Sequence, residues 1–534
     1  MPMLHHGFSC GHDLTFHLTN WYDAAQQWRH GTLYPRWAQS PNFTAGEPRF
    51  IFYPPASWML GAALSAITGW KFAPLLYIVL VLCAAGAAMY RLARLALLPA
   101  AALAAALVYM ANPYMLFVIY TRSAYAELLA AAILPLLFLA VLRPRVHIAL
   151  VAEATAALWL TNAPAAVIGM YSLLALAILS AWRHGSLPNL LRAAAGAVLG
   201  FFVAAIYLWP AIFEQPRVQI ARVKDAAYDF HRSFLFGHTG DPLHDAVLRN
   251  ASTIAVILFA AIAGCTLVVY LRRRHWHTLQ KRVFFTLAIF SALALLLMLP
   301  LSAVVWQHLP KLAFLQFPWR WLLAVAVVDA VLSGALVGAP ALRRRIPIGL
   351  ALIYSLVAVA VFSHHDFQAC DAQDTPQSVI AQLRSGAGVE GTGEYTPVAA
   401  NTHDLQPAAP HVWFYTPDGS ARPGKHQELP VHAQVVNWSA THKNFSVDLP
   451  QPATAILQLM DYTAWQLRVN GSSAAKAAPA SSGQMQIALP VGHSEVQVDF
   501  VRTGDRLMGD LLSFVALLVL AIITWRERKH HVKS

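Results

Sequence analysis

The residues with the clearest chemical potential lie at the start of the chain, in HHGFSCGHDLTFHLTNW (residues 5–21). This stretch holds four histidines and one aspartate, Asp13, and it ends in an aromatic residue. A carboxylate beside an acceptor hydroxyl can remove its proton as a general base. Asp is also a favoured N-cap residue, so Asp13 has a second interpretation as the cap of a helix that starts near Leu14.

The four histidines of this stretch are His5, His6, His12 and His17. A zinc site needs three or four ligands in a regular arrangement. The HxH and HxxxH spacings are missing, and the spacing of five between His12 and His17 is a poor substitute for them. We therefore predict no metal site here and interpret His12 and His17 as hydrogen-bonding neighbours of Asp13.

The composition places these residues in a membrane protein. Apolar residues make up 57% of the chain and charged residues 12%, whereas soluble domains carry about 25% charged residues. Runs such as 73–90 and 252–271 reach the roughly 20 residues that a helix needs to cross a bilayer. Such runs predict helical spans at 72–90, 96–112, 124–142, 147–162, 164–182, 192–210, 251–271, 283–300, 321–338, 346–363 and 507–525.

Basic residues cluster in the short links between these runs. The clusters lie at 91–94, 143–145, 183–192, 272–282, 343–345 and 526–533, with Glu527 as their one acid. If the first span runs from outside to inside, every cluster falls in the cytoplasm, as the positive-inside rule requires. The net charge of +12 then sets the topology and needs no nucleic-acid partner. We expect a bacterial inner-membrane protein with a cytoplasmic C-terminus.

The same topology places residues 1–71, 211–250, 301–320 and 364–506 outside. Residues 56–69 are apolar but short, and a span there would move Arg91 and Arg94 to the outside. We therefore predict an interfacial or re-entrant helix at 56–69. An outer segment of 71 residues with no helix before it also suggests a misplaced start codon or a lost first helix.

Residues 364–506 have a different pattern. Apolar and polar residues alternate in 432–438, 444–449, 453–460, 465–471, 485–489 and 495–501, which predicts a small antiparallel β-sandwich. The fold class is therefore mostly α: a polytopic bundle of about eleven spans with an outer β-sandwich-like domain before the last helix. We divide the chain into 1–71, 72–363, 364–506 and 507–534. Cys10 and Cys370 both fall outside, either as a disulfide or as two thiols.

Polar and aromatic residues collect at the outer ends of the predicted spans. Arginines there suit a lipid phosphate, and Trp and Tyr suit an acyl or prenyl chain. Arg122 and Glu127 also fit a plain ion pair, Arg320 a plain helix anchor, and Asp329 a structural hydrogen bond between helices. With Asp13 as the catalytic residue, the predicted substrate-binding residues are His17, Arg36, Tyr53, Arg122, Glu127, Arg217, Arg222 and Arg320.

A family resemblance rests on GHDLTFHL, LYPRW, FYPPASW, RSAYAE and QFPWRW, with DYTAWQLRVNG in the β-rich part. Together they resemble a bacterial membrane family labelled "6-pyruvoyl-tetrahydropterin synthase-related". An acidic residue in the first outer loop, followed by a YPP stretch, is also similar to the C-type glycosyltransferases, which use sugars linked to polyprenyl phosphate. That resemblance implies an inverting enzyme with its catalytic aspartate at Asp13. It also implies a helix before this loop, which the sequence lacks.

Three hypotheses about function follow. The first is sugar transfer from a polyprenyl-phosphate donor to a lipid or glycan acceptor of the cell envelope. Asp13 would be the base, Arg217, Arg222 or Arg320 would hold the phosphate, and a divalent cation is an open cofactor. The second is a transporter or flippase of an envelope lipid, which predicts deep charges and paired broken helices. Only Glu153 and Asp329 lie deep in spans. The third is a non-catalytic assembly protein.

Overall fold

Helices form most of the protein. The computed structural model describes residue 3 and residues 8–184, 186–225, 228–337, 345–416 and 429–532. His5, His6, Arg343, Arg344 and Lys533, which entered the zinc and topology arguments, lie outside these ranges. The helices are α1 Leu14–Arg29, α2 Arg49–Phe52, α3 Pro55–Thr68, α4 Ala73–Ala93, α5 Pro99–Met110, α6 Pro113–Phe117, α7 Tyr125–Leu142, α8 Ile148–Thr161, α9 Ala163–His184, α10 Leu187–Val203, α11 Ala205–Phe213, α12 Pro242–Leu271, α13 Thr278–Leu297, α14 Ala303–His308, α15 Leu322–Val337, α16 Arg345–His365, α17 Pro376–Arg384 and α18 Gly504–Val532.

The predicted membrane bundle is confirmed, with a smaller number of spans. Among the described residues, nine helical segments are long and apolar enough to cross a membrane. A tenth candidate is the pair α10 and α11, whose axes bend by 75° at their junction. The predicted span 147–162 corresponds to α8, which has only 14 residues. At 1.5 Å per residue α8 is about 21 Å long, too short for a hydrocarbon core of about 30 Å.

Small side chains allow the bundle helices to approach one another closely. A Cβ added to Gly334 in α15 would lie 2.8–2.9 Å from Leu97, Ala101 and Ala105 of the neighbouring segment. Inside a bilayer the hydrophobic effect does not drive helices together, and close contacts at small residues favour their association by van der Waals packing. The Asp329 carboxylate in α15 accepts a hydrogen bond from the Asn112 amide at 3.1 Å. The structural interpretation of Asp329 is therefore confirmed.

The β-rich part forms two antiparallel sheets, as predicted. Their hydrogen-bonded orders are β1-β4-β7 and β2-β3-β8-β5-β6. Phe445 and Val496 of the larger sheet share one buried core with Leu457 and Ile487 of the smaller sheet. The strands are β1 Val412–Tyr415, β2 Gln434–Trp438, β3 His442–Leu449, β4 Ala453–Met460, β5 Trp465–Val469, β6 Ser472–Ala474, β7 Gln484–Leu489 and β8 Gly492–Phe500.

The segment before the first span completes the core of the β-rich part. The ring of Trp37 lies 5.3 Å from that of Trp465 and 5.5 Å from that of Phe500. The Met460 amide donates to the Ala45 carbonyl at 2.8 Å, and the Gln458 side chain donates to the Phe43 carbonyl at 2.7 Å. Two stretches that the sequence analysis treated as separate domains therefore share one hydrophobic interior.

A buried ionic group connects the β-rich part to the bundle. Glu214, which follows α11, accepts hydrogen bonds from Arg506 Nε at 2.9 Å and from Arg506 Nη2 at 3.1 Å. The Tyr462 hydroxyl donates to the same carboxylate at 2.6 Å. Glu214 is fully buried, and such a charge is tolerated only when it is paired. This group fixes the position of the β-rich part between α11 and α18.

The open question about the two outer cysteines is settled by a disulfide between Cys10 and Cys370. The Cys10 amide also donates to the Gln368 carbonyl at 2.9 Å. Together these contacts tie the start of the chain to the segment that follows α16. Cys10 is three residues from Asp13, so the disulfide also restrains the Asp13 segment.

Replacing Cys10 and Cys370 by serine should lower the free energy of unfolding by about 2–4 kcal/mol, the typical contribution of a disulfide. Dithiothreitol should lower the thermal midpoint of the wild type and leave that of the double variant unchanged. Cys83→Ser, at an exposed free thiol, is the matched control. A double variant that unfolds at the wild-type temperature would contradict the prediction.

Candidate functional site

Backbone contacts determine the position of Asp13. The amide of Asp13 donates to the Arg122 carbonyl at 2.8 Å, and the amide of His12 donates to the Thr121 carbonyl at 3.3 Å. A Cβ added to Gly11 would lie 2.7 Å from backbone atoms of Thr121, Arg122 and Ser123. Only glycine fits this close approach, so Gly11 allows the Asp13 segment to lie against the turn between α6 and α7.

That turn has an unusual backbone. Residues Val118–Arg122 form one turn of π-helix, and Ser123 follows with a φ of 50°. Single π-helical turns of this kind occur often at functional sites. The Ser123 hydroxyl accepts from the Gly11 amide at 3.1 Å and donates to the Ser9 carbonyl at 3.0 Å. These bonds support the left-handed residue and direct Arg122 toward Asp13.

Four charged side chains meet at this turn. Arg122 Nη1 donates to Glu127 Oε2 at 2.5 Å, and Arg122 Nη2 lies 3.5 Å from Asp13 Oδ2. Arg320 Nε lies 3.7 Å from the same Glu127 oxygen. The Tyr114 hydroxyl donates to Glu127 Oε1 at 2.5 Å. The predicted ion pair between Arg122 and Glu127 is confirmed, and it belongs to a larger cluster that includes Asp13 and Arg320.

Asp13 is the accessible member of this cluster. Its side chain is 40% exposed, whereas those of Arg122 and Glu127 are 7% and 5% exposed. Asp13 occupies the N-cap position of α1, but its side chain makes no cap hydrogen bond. Capping of α1 therefore does not account for the carboxylate. Both Glu127 oxygens have close partners, whereas among the described residues the Asp13 side chain has only the longer contact with Arg122.

Aromatic side chains close to Asp13 in the structure pack against one another. Tyr53 lies with its ring centre 4.9 Å from that of Phe16 and 6.3 Å from that of His17. Burial raises the pKa of Tyr53 well above its ordinary value, and the negative charge of Asp13 raises it further. Burial also raises the pKa of Tyr228, with additional effects from Glu394 and Asp13. Tyr53 and Tyr228 therefore both lie within the electrostatic field of Asp13.

His17 is buried next to the cluster, with 2% of its surface exposed. Its Nδ1 has no hydrogen-bond partner within the described part of the chain. Burial lowers the pKa of His17 to about 4, and the nearby Asp13 carboxylate offsets only part of that shift. The imidazole is therefore neutral at neutral pH and is suited to a hydrogen bond rather than to an ion pair.

His17 should make the protein sensitive to acid. An unfolded histidine has a pKa near 6.5, so between pH 6.5 and about 4 the unfolded chain binds a proton that the folded protein does not. Stability should fall by up to about 1.4 kcal/mol per pH unit as the pH decreases through this window. His17→Phe should remove that contribution. If the thermal midpoints of the wild type and His17→Phe change with pH in parallel, the prediction is wrong. Burial raises the pKa of Asp23, but Asp23 is present in both proteins and its effect cancels in the comparison.

Three of the predicted substrate-binding arginines lie elsewhere. Arg36 donates to the Ile206 carbonyl at 3.1 Å, and Arg217 donates to the Thr463 hydroxyl at 2.7 Å and lies 3.6 Å from Glu214. Arg217 thus belongs to the Glu214 group, and the roles of Arg36 and Arg217 in substrate binding stay predictions. Arg222 packs on Gly393, where an added Cβ would lie 3.3 Å from its Nη1. This contact places Arg222 beside Glu394.

A second buried ionic group, which was not among the predicted site residues, lies near the site. Arg49 bonds to the Glu47 carboxylate at 2.5 Å, to the Asn20 side chain at 2.9 Å and to the Thr392 hydroxyl at 2.7 Å. Glu47 and Arg49 are both almost fully buried. Glu47 and Arg49 are two residues apart in EPRF (47–50), and this spacing could have indicated an ion pair. Thr392 gave no signal, because it is 343 residues away from Arg49 in the sequence.

The described residues near Asp13 do not form a metal-binding group. Among the described residues, no three His, Cys, Asp or Glu side chains form a group that could hold a metal ion. Asp13 is one carboxylate beside an arginine, and Glu127 is already paired. A divalent cation therefore stays an open prediction. The chemical groups that the cluster offers are one partly exposed carboxylate, neighbouring guanidinium groups and nearby aromatic side chains.

Comparisons with known proteins place the chain in a family. No curated protein matches it. The family described as "6-pyruvoyl-tetrahydropterin synthase related domain; membrane protein" matches residues 50–367. This range contains Arg122, Glu127 and Arg320 and leaves out Asp13 and His17. Because the match covers more than half of the chain, the protein belongs to the 6-pyruvoyl-tetrahydropterin synthase-related family of membrane proteins.

Proposed function

We propose that the protein transfers a sugar from a polyprenyl-phosphate donor to a hydroxyl group of a cell-envelope acceptor at the outer face of the membrane. The observation that carries the proposal is the Asp13 carboxylate. It is 40% exposed, makes no cap hydrogen bond and lies beside buried arginines. A carboxylate in this state suits a general base.

The charges of the cluster support two roles. Arg122 and Glu127 form the closest ion pair of the cluster, at 2.5 Å. Asp13 is therefore the more weakly paired carboxylate, and Arg320 is the more weakly paired guanidinium. Arg320 Nε is buried and has no hydrogen-bond partner among the described residues. Its Nη1 is held by the Leu315 carbonyl at 2.7 Å, so the guanidinium is fixed in place. A guanidinium that is fixed in this way suits a phosphate oxygen.

The proposed reaction is a single displacement. Asp13 takes the proton of the acceptor hydroxyl, and the oxygen attacks the anomeric carbon of the donor sugar. The bond from that carbon to the phosphate oxygen breaks, and polyprenyl phosphate leaves with the electron pair. Arg320 stabilises the charge that develops on the phosphate. Attack opposite the leaving group inverts the anomeric configuration.

The test uses purified full-length protein, a panel of labelled polyprenyl-phosphate sugars and a membrane extract as acceptor. We expect the wild type and Asp404→Asn to release polyprenyl phosphate and Asp13→Asn to release almost none. Asp404 is an exposed acid of the outer part and serves as the matched control. Absence of release from the wild type with every donor would overturn the proposal.

One observation favours the second candidate function, lipid transport. The pair α10 and α11 is a broken helix with a bend of 75°, and transporters place broken helices around their binding sites. That class expects two such helices in corresponding halves, and the described residues contain one bent pair. Donor binding by the wild type without release of polyprenyl phosphate would favour transport over sugar transfer.

A further inference from the structure

A cavity of about 170 Å³ lies at the opposite end of the bundle from Asp13. The helix α7 begins at Tyr125, close to Glu127, and ends at Leu142, which lines the cavity. The 18 residues of α7 separate the two places by about 27 Å. This basic-end cavity is therefore distinct from the Asp13 site, and the sequence places it on the cytoplasmic side.

The basic-end cavity has a positive lining. Arg143 and Arg282 both contribute to it, and none of its lining residues is acidic. Arg282 Nε is buried and has no hydrogen-bond partner within the described ranges. An unpaired buried donor on a charged group is costly. A bound anion would remove that cost by accepting the hydrogen bond.

The wall of the cavity is held in a fixed shape. Asn189 accepts from the Val146 amide at 3.2 Å and donates to the Pro144 carbonyl at 2.8 Å. These bonds join the loop that carries Arg143 to the first turn of α10. Ser186, at the N-cap of α10, also lines the cavity and makes no cap hydrogen bond. The positive end of the α10 dipole therefore adds to the two arginines.

We propose that the basic-end cavity binds a phosphate group. Two guanidinium groups, a helix N-terminus and nearby hydroxyls such as that of Thr286 match the several acceptor oxygens of phosphate. Basic pockets between membrane helices on the cytoplasmic side commonly hold anionic lipid headgroups. The phosphate comes either from such a headgroup or from a soluble phosphate ester, and the two sources share the same recognition chemistry. The inference does not depend on sugar transfer at Asp13.

The test measures thermal unfolding of purified full-length protein with three probes: dioctanoyl phosphatidylglycerol, inorganic phosphate and neutral dioctanoylglycerol. A ligand that binds the folded state raises the midpoint. We expect phosphatidylglycerol to raise the midpoint of the wild type and dioctanoylglycerol to leave it unchanged. Arg282→Gln should weaken the apparent binding at least about tenfold, the effect of losing a charged hydrogen bond. A shift with inorganic phosphate at constant ionic strength would assign the site to soluble phosphates as well.

Two further variants keep the test decisive. Ser180→Leu fills the cavity and keeps both arginines, and it should weaken binding as Arg282→Gln does. Arg272→Gln removes the same charge from an exposed residue outside the lining, and it should bind as the wild type does. Equal binding by all four proteins, or no midpoint shift of the wild type with either phosphate probe, would overturn the proposal.

Discussion

Asp13→Asn should lower the rate of sugar transfer by about 10²–10⁴-fold, the usual contribution of a general base. Asparagine keeps the size of the side chain and cannot accept the proton at neutral pH. The fold should change little, because Asp13 is 40% exposed and its contact with Arg122 is long at 3.5 Å. Ion pairs with an exposed member typically contribute less than about 1 kcal/mol. Initial rates with a saturating donor measure the effect.

Three controls separate chemistry from damage to the fold. Asp404→Asn should transfer sugar at the wild-type rate. The thermal midpoint of Asp13→Asn should match that of the wild type, and its affinity for the donor should be retained. If Asp13→Asn transfers sugar at nearly the wild-type rate, Asp13 is not the base. If the variant instead loses the fold, the carboxylate has a structural role that its exposure does not suggest.

Glu127→Gln should lower the free energy of unfolding by about 3–5 kcal/mol, the cost of removing one partner from a buried ion pair. The glutamine fits the same space and can still accept from Tyr114. Arg122 and Arg320 would then lie close together, with the loosely held Asp13 as the remaining negative charge of the cluster. Two buried guanidinium groups near one carboxylate repel each other. Denaturant unfolding of purified protein measures the loss.

The matched control for this variant is Glu153→Gln. Glu153 is an exposed residue in α8, and neutralising it should change the stability by less than about 0.5 kcal/mol, as for other surface substitutions. Equal stability of Glu127→Gln and the wild type would show that Glu127 is not the centre of the cluster. A large loss in Glu153→Gln would show that the exposed acid has a partner that the structure does not reveal.

Local patterns predicted most of the fold. The alternation in 453–460 and 485–489 corresponds to β4 and β7, whose bounds are Ala453–Met460 and Gln484–Leu489. Long apolar runs predicted the spanning helices in the same way, since burial of one continuous segment needs no distant partner. There are two exceptions. The predicted span 147–162 corresponds to α8, which is only 14 residues long, and the predicted span 192–210 is interrupted by the 75° bend between α10 and α11. The apolar composition of a segment does not determine the residues at which its helix begins and ends.

The candidate site was predictable only where its members lie close together in sequence. Arg122 and Glu127 are five residues apart, and their pairing could be anticipated. The contact of Asp13 with Arg122 bridges 109 residues, and no local pattern encodes it. For the same reason Arg36 and Arg217 seemed equivalent to Arg320, although Glu214 holds Arg217 in another group. The residue types identified the candidate site residues. Only the tertiary structure shows which of these residues lie in the same cluster.

The disulfide between Cys10 and Cys370 has a consequence for the biosynthesis of the protein. The two cysteines are 360 residues apart, and a ribosome adds about 5–20 residues per second. Cys370 is therefore synthesised roughly 20–70 s after Cys10. The interval between the synthesis of Trp37 and that of Trp465 is longer. During that time the nascent N-terminal segment exposes a thiol and an apolar surface. Any oxidant that forms this disulfide therefore meets Cys10 as a free thiol well before Cys370 is synthesised.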